Sequence, residues 1–193
     1  MIIQIDSREK QKAIKDIVRT FDQMGVKHYS SKLYVGDYMN LDNPKLIIDR
    51  KQNLTELCSN ICQGHERFRS ELIRARENGI QLVILVEHGD PIFTLEDVQF
   101  WQNPRKVKTV KEDGKWIRKE TKAMTGRTMY KILCTMQRKY GVQYDFCDKS
   151  ETGRRIIEIL KGGGGCWWMK TNTRKSPTNY WKQFYPTGFH LRR

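Results

Sequence analysis

Residues 82–86, Leu-Val-Ile-Leu-Val, leave no polar face on an extended chain, and such a strand is buried only where helices cover both sides of its sheet. The flanking segments read as alternating elements. Ile2–Ile5 predicts a strand ending at Asp6, and Ile14, Ile17, Val18 and Phe21 recur at helical spacing over Gln11–Met24 before Gly25. Lys27–Val35 and Lys45–Lys51 predict two strands, paired as a hairpin through Asp42-Asn43-Pro44. Leu54, Leu57, Cys58 and Ile61 predict a helix, and His65–Asn78 predicts another that stops at Gly79. Ile80–Glu87 is then the strand expected at the middle of the sheet. A short helix over Thr94–Trp101, a longer one over Thr125–Tyr140, a strand over Val142–Cys147 and a last helix over Glu151–Lys161 complete an α/β layered domain.

The expected hairpin carries the chemistry. A turn centred near Asn43 sets Asp37 across from Asp49 and Val35 across from Lys51. Strand side chains alternate, so Asp49 and Lys51 share a face while Ile48 and Arg50 take the other. Two apposed carboxylates need a cation or a shared proton, and hard oxygen ligands suit Mg²⁺, with Mn²⁺ as a substitute. Such a metal would polarise a phosphodiester, while Lys51 orients water or offsets charge developing at phosphorus. The competing reading is a surface hairpin with solvated charges. A charged triplet ending the buried run Leu46-Ile47-Ile48 favours a site.

The charge balance names the class of partner. Against 22 Asp+Glu stand 36 Lys+Arg, a formal +14, which favours nucleic acid or an anionic membrane surface. No stretch approaches the roughly 20 apolar residues of a span, and the N-terminus reads as a charged strand rather than a signal peptide. No membrane association and a soluble, cytoplasmic location are expected, or a nuclear one if the source is eukaryotic. Five cysteines without a CxxC pair predict reduced thiols. Cys58, Cys62 and His65 lack a second half to complete a zinc site.

Two segments stand apart from the periodic pattern. Within an insertion of about 102–123, Arg105–Lys122 holds eight basic residues against three acids, with Asp113-Gly114 at its middle. It reads either as a basic hairpin gripping a phosphate backbone, with Arg105, Lys106 and Lys108, or as a solvated loop. Beyond Leu160 a Gly-rich, basic-aromatic tail over 162–193 includes Trp167, Trp168 and Trp181. These rings either stack on unpaired bases, pack on the domain or belong to an unpacked terminus.

Three ordered motifs make the reading more specific. Ile5-Asp6-Ser7-Arg8-Glu9, Val35-Gly36-Asp37-Tyr38 and Ile47-Ile48-Asp49-Arg50-Lys51 resemble the successive motifs of XPF-type structure-specific endonuclease domains. Arg67-Phe68 to Glu71, the strand ending at Glu87 and the closing strand and helix are also similar, so a nuclease domain over 1–161 is expected. The resemblance implies a restriction-endonuclease-like fold of the PD-(D/E)xK superfamily, with a mixed central β-sheet flanked by helices. It also implies Mg²⁺-dependent cleavage of branched, flap or fork DNA in recombination, replication or repair. Asp37 and Asp49 would hold the metal, Lys51 would be the catalytic lysine, and Arg50 a phosphate contact or brace. Asp6 would be a further carboxylate bordering the metal, or a strand cap salt-bridged to Arg8. Arg8 and Arg67 join the insertion's basic residues as expected DNA contacts.

The pattern departs from the family's in three places. Asp49 stands where the family usually has Glu, and Thr55 stands where it has Asp, with Glu56 one position later. A short tail also stands where a helix-hairpin-helix module normally follows. A homodimer or a heteromeric partner is compatible with the family. The alternative function is a non-catalytic DNA-binding partner subunit of the same fold, and RNA is a further candidate substrate.

Overall fold

The computed structural model describes residues 1–162. Along the chain run β1 (Ile2–Asp6), α1 (Gln11–Gln23), β2 (Lys27–Ser31), β3 (Tyr38–Asn40), β4 (Asn43–Lys51), α2 (Leu54–Cys62), α3 (His65–Glu77) and β5 (Gln81–Glu87). A short 3₁₀ turn over Glu96–Phe100 replaces the expected helix at Thr94–Trp101, followed by β6 (Val107–Glu112), β7 (Lys115–Glu120), α4 (Gly126–Tyr140), β8 (Gln143–Cys147) and α5 (Thr152–Lys161).

Six strands form one sheet in the order β2-β1-β3-β4-β5-β8. It is mixed: β1–β2, β4–β5 and β5–β8 pair parallel, while β3 runs antiparallel to both β1 and β4. Helices cover both faces, as the apolar run in β5 requires. On one side Ile14, Ile17 and Phe21 of α1 and Ile156, Ile157 and Leu160 of α5 meet Ile3, Ile5, Ile48 and Leu85. On the other, Leu54, Leu57, Phe68, Leu72, Met129 and Leu133 of α2, α3 and α4 meet Ile47, Ile84 and Val86. The expected mixed sheet flanked by helices is therefore present. Among the described residues no helix is long and apolar enough to cross a membrane.

Two strand expectations are corrected. Lys27–Val35 does not pair with Lys45–Lys51; its strand stops at Ser31 and lies parallel to β1 at the sheet edge. The polar sequence of β2, largely exposed, suits an edge. The partner of β4 is instead the three-residue β3, too short to leave an alternation in sequence. β5 is internal, but it stands next to the edge strand β8, and β3 and β4 occupy the centre.

The hairpin turn also moves. It falls at Leu41-Asp42, and Asn43 already belongs to β4. An irregularity between Met39 and Asn40 absorbs the displacement, so Tyr38 faces Ile48 and Met39 faces Ile47, the register of a regular hairpin centred near Asn43. Val35 lies before β3 and has no strand partner at Lys51. The expected C-terminal tail and its tryptophans lie outside the described residues.

Candidate active site

The site lies at the carboxyl end of β4, beside the parallel end of β5, where open α/β sheets bind ligands. Residues 47, 49 and 51 of β4 point toward α2 and α3, and 46, 48 and 50 toward α1 and α5. Alternation therefore places Asp49 and Lys51 together. Both are buried, and Lys51 Nζ lies 2.7 Å from Asp49 Oδ2 and 2.8 Å from Oδ1. Beneath the ammonium is the Phe68 ring of α3, 5.5 Å away at its centroid.

Asp37 reaches this pair from the loop before β3. Its amide donates to Ile48 O at 2.8 Å, and its Oδ2 accepts the Arg50 amide at 2.8 Å. The loop turns on Gly36, with φ +64°, and a side chain there would meet Ile47 Cγ2 and the Ile48 carbonyl. Glu71 Oε1 of α3 accepts the Gly36 amide at 2.9 Å, fixing the same loop from the helix side.

Charge and burial oppose one another here. Burial pushes the Asp37 carboxyl well above the usual carboxylate range, and the Asp49 charge pushes it further, against the counter-effects of Lys51 and the Arg50 amide. Burial alone would lower the Lys51 ammonium, but Asp49 and Asp37 hold it above its ordinary value. Lys51 is therefore a fixed cation at neutral pH rather than a base.

The donor set fits a hard divalent ion. Asp49 Oδ2 is buried and close to Lys51, yet its angles make no hydrogen bond, so it retains coordinating capacity. Among the described residues no group of three His, Cys, Asp or Glu side chains surrounds a common point. Asp37 and Asp49 are the carboxylates that would hold such an ion, and hard oxygen donors suit Mg²⁺.

Arg50 stands behind the site. Its guanidinium is buried between Glu9, at 2.8 Å, and Glu87, at 2.9 Å, and Glu9 also accepts the Tyr38 hydroxyl at 3.3 Å. Of the two sequence readings this geometry fits a brace, since the side chain has no free face for phosphate.

The structure does not bring the Asp6 carboxylate into the set. Oδ1 accepts the amide and Nε of Arg8, both at 2.7 Å, and Oδ2 accepts Arg8 Nη2 and the Leu33 amide, both at 2.8 Å. Burial raises this carboxyl, but the Arg8 and Leu33 hydrogen bonds outweigh it and hold it below the ordinary value. Asp6 thus ties the loop after β2 to β1. Arg8 is exposed beside Asp37 and Glu71, whose charges, after that of Asp6, raise its guanidinium.

The other basic residues lie farther out. Arg67 is exposed on α3, Arg105 donates to Ser59 Oγ at 2.9 Å, Lys106 to Thr121 O at 3.2 Å, and Lys108 is exposed on β6. Glu56 is not a site residue: it accepts the Gln52 amide while Asn53 Oδ1 accepts the Glu56 amide, a reciprocal cap for α2.

Sequence reasoning quoted Glu9, Glu71 and Glu87 within the family-like motifs but gave them no role, and the structure places all three against the site's loop or its brace. Glu71 was signalled by its spacing of three from Phe68, which puts it on the same helix face. Glu87 was signalled as an acid ending an apolar strand.

Comparison with known proteins agrees with this architecture. The family described as "ERCC4 domain" matches residues 5–159. The structure resembles XPF from Aeropyrum pernix with a TM-score of 0.55 at 20% identity, over 97% of this chain and 76% of that one. It resembles the DNA complex of XPF from Aeropyrum pernix with a TM-score of 0.54 at 20% identity, over 97% and 74% of the two chains. No curated protein matches the sequence.

Proposed function

Because the chain belongs to the ERCC4 domain family, we propose that it is a Mg²⁺-dependent DNA endonuclease hydrolysing phosphodiester bonds at branched, flap or fork DNA. Family membership supports a nuclease, and the DNA-bound XPF structure supports DNA as the partner. The observation that carries the reading is the convergence of Asp37, Asp49 and Lys51 on one side of the sheet.

Each residue has a physical task. Asp37 and Asp49 would hold the metal, whose chemistry when bound would be to acidify water and to polarise a phosphate oxygen. Lys51 keeps its proton and sets positive charge beside the phosphoryl oxygens, where negative charge gathers in the transition state. Desolvation strengthens that interaction, since both Lys51 and Asp49 are buried. Arg50 contributes through its main chain, which orients Asp37, and through Glu9 and Glu87, which anchor β4 from behind.

Labelled fork, flap, single-stranded and linear duplex DNA, with and without Mg²⁺, test the reading. Cutting of a branched substrate in Mg²⁺ alone is expected, and Asp37→Asn and Asp49→Asn should each abolish it. Binding without cutting of any substrate would instead leave a non-catalytic DNA-binding subunit. Cutting that both variants retain would remove the assigned site.

A further inference from the structure

We propose that the β6–β7 ribbon is a DNA-binding arm whose Lys111 and Arg118 seat on duplex phosphates and whose Trp116, on the same face, stacks on an unpaired base, so that the ribbon selects branched DNA. This rests on the nuclease reading and adds to it the element that chooses the substrate.

The ribbon forms a two-stranded sheet of its own. Asp113 (φ 48°) and Gly114 (φ 78°) both take the left-handed conformation of a tight hairpin turn, which matches the twist of two strands. Register places Val107, Thr109, Lys111, Trp116, Arg118 and Glu120 on one face. Lys108, Val110, Glu112, Lys115, Ile117 and Lys119 take the other.

Each face carries two cations that make no ion pair among the described residues, Lys111 and Arg118 on the first and Lys108 and Lys115 on the second, and the faces differ in the large aromatic ring that the first exposes. On the second, Val110 and Ile117 are directly opposed and half-buried, and Lys119 is paired with Glu112. On the first, between Lys111 and Arg118 at the tip and directly across from Lys111, is Trp116, 71% exposed. Over 105–122 eight basic residues face three acids.

An aromatic ring between unpaired cations suits a nucleic acid strand, where bases stack on the ring and phosphates meet the cations. A two-stranded ribbon is also of a width that a DNA major groove admits. The ribbon is rooted against α2, the helix that follows β4. Thr121 N closes its base on Lys106 O at 2.7 Å, and Arg105 reaches Ser59 of that helix. Six residues at about 3.4 Å each carry the tip roughly 20 Å from that root, about six base steps of a strand.

The test measures binding by the full chain to fork, linear duplex and single-stranded DNA in EDTA, across a salt series. Lys111→Ala/Arg118→Ala is expected to weaken fork and duplex binding alike and to lower the slope of log affinity against log salt by about two. Trp116→Ala should leave that slope unchanged and reduce the preference for fork over duplex roughly tenfold, with Trp116→Phe retaining most of it. An unchanged fork preference in Trp116→Ala, or an unchanged slope in the double variant, overturns the proposal. A Mg²⁺ arm separates the two readings. Ribbon variants behaving as stated without any cutting would leave the arm standing and the nuclease reading rejected. Cutting by ribbon variants that bind as the original chain does would give the reverse.

Discussion

The main-chain amide of Arg50 donates a 2.8 Å hydrogen bond to Asp37 Oδ2, while the Arg50 side chain leaves through the opposite face of β4 to Glu9 and Glu87. One residue thus orients a carboxylate on the Lys51 side of the sheet and anchors the strand from behind. The two roles separate in experiment.

Arg50→Met is expected to lower stability by about 3–5 kcal/mol, because it leaves Glu87, and in part Glu9, buried without their cation. Urea denaturation measures this. Fork binding by the folded variant should keep the original salt slope, and a slope lowered by one would make Arg50 a phosphate contact after all.

Lys51→Met removes the partner of buried Asp49 and should also cost about 3–5 kcal/mol. Adding Asp49→Asn to it should recover a substantial part, because the second change removes the orphaned charge. Strictly additive losses in the denaturation midpoints would show that the pair is not coupled.

The length of the second carboxylate can be probed apart from its charge. Asp49→Glu restores the residue the XPF-type pattern usually carries, and cutting within about tenfold of the original is expected. Asp49→Asn should lose at least about 100-fold, the scale of removing one transition-state electrostatic contact. Gel assays of fork cleavage read both.

Asp37 makes the stability of the metal-free chain depend on pH. Its folded carboxyl is raised above the ordinary value by burial and by Asp49, so its contribution is fully present below the unfolded pKa of about 3.9 and is lost as pH rises through the folded value. Asp37→Asn should match the original in acid and exceed it in melting temperature near neutral pH in EDTA. Mg²⁺ should stabilise the original chain and leave the variant nearly unmoved. Equal pH profiles in EDTA would contradict the assignment.

Gly36→Ala should cost at least about 1–3 kcal/mol and displace Asp37. The residue sits at φ +64°, and its Cβ would come within 2.6 Å of Ile47 Cγ2 and 2.8 Å of the Ile48 carbonyl. Cleavage and thermal melting should fall together. A change in melting alone would mean that the loop relaxes without moving the carboxylate.

Much of the site was legible because strand alternation is local. Once Asp49 and Lys51 lie on one extended segment, their shared face follows from the pleat. Asp113-Gly114, which its turn chemistry left as either a hairpin tip or part of a solvated loop, forms the ribbon turn. Asp6 was the harder case. It has the residue type of a metal ligand, but only the fold brings the Leu33 amide and the Arg8 side chain to its two oxygens. Glu56, one position beyond the place where the family pattern has Asp, caps the start of α2.

The sequence by itself determined the alternating elements, the doubly covered β5, the basic balance and the order of three motifs, all properties of neighbouring residues. Tertiary structure alone decided that β2 lies beside β1 and that three-residue β3 takes its expected place next to β4. It also decided which acids stand behind Arg50. Those outcomes depend on pairing between segments far apart in the chain, whose energies come from joint burial and charge neutralisation and leave no local periodicity to read.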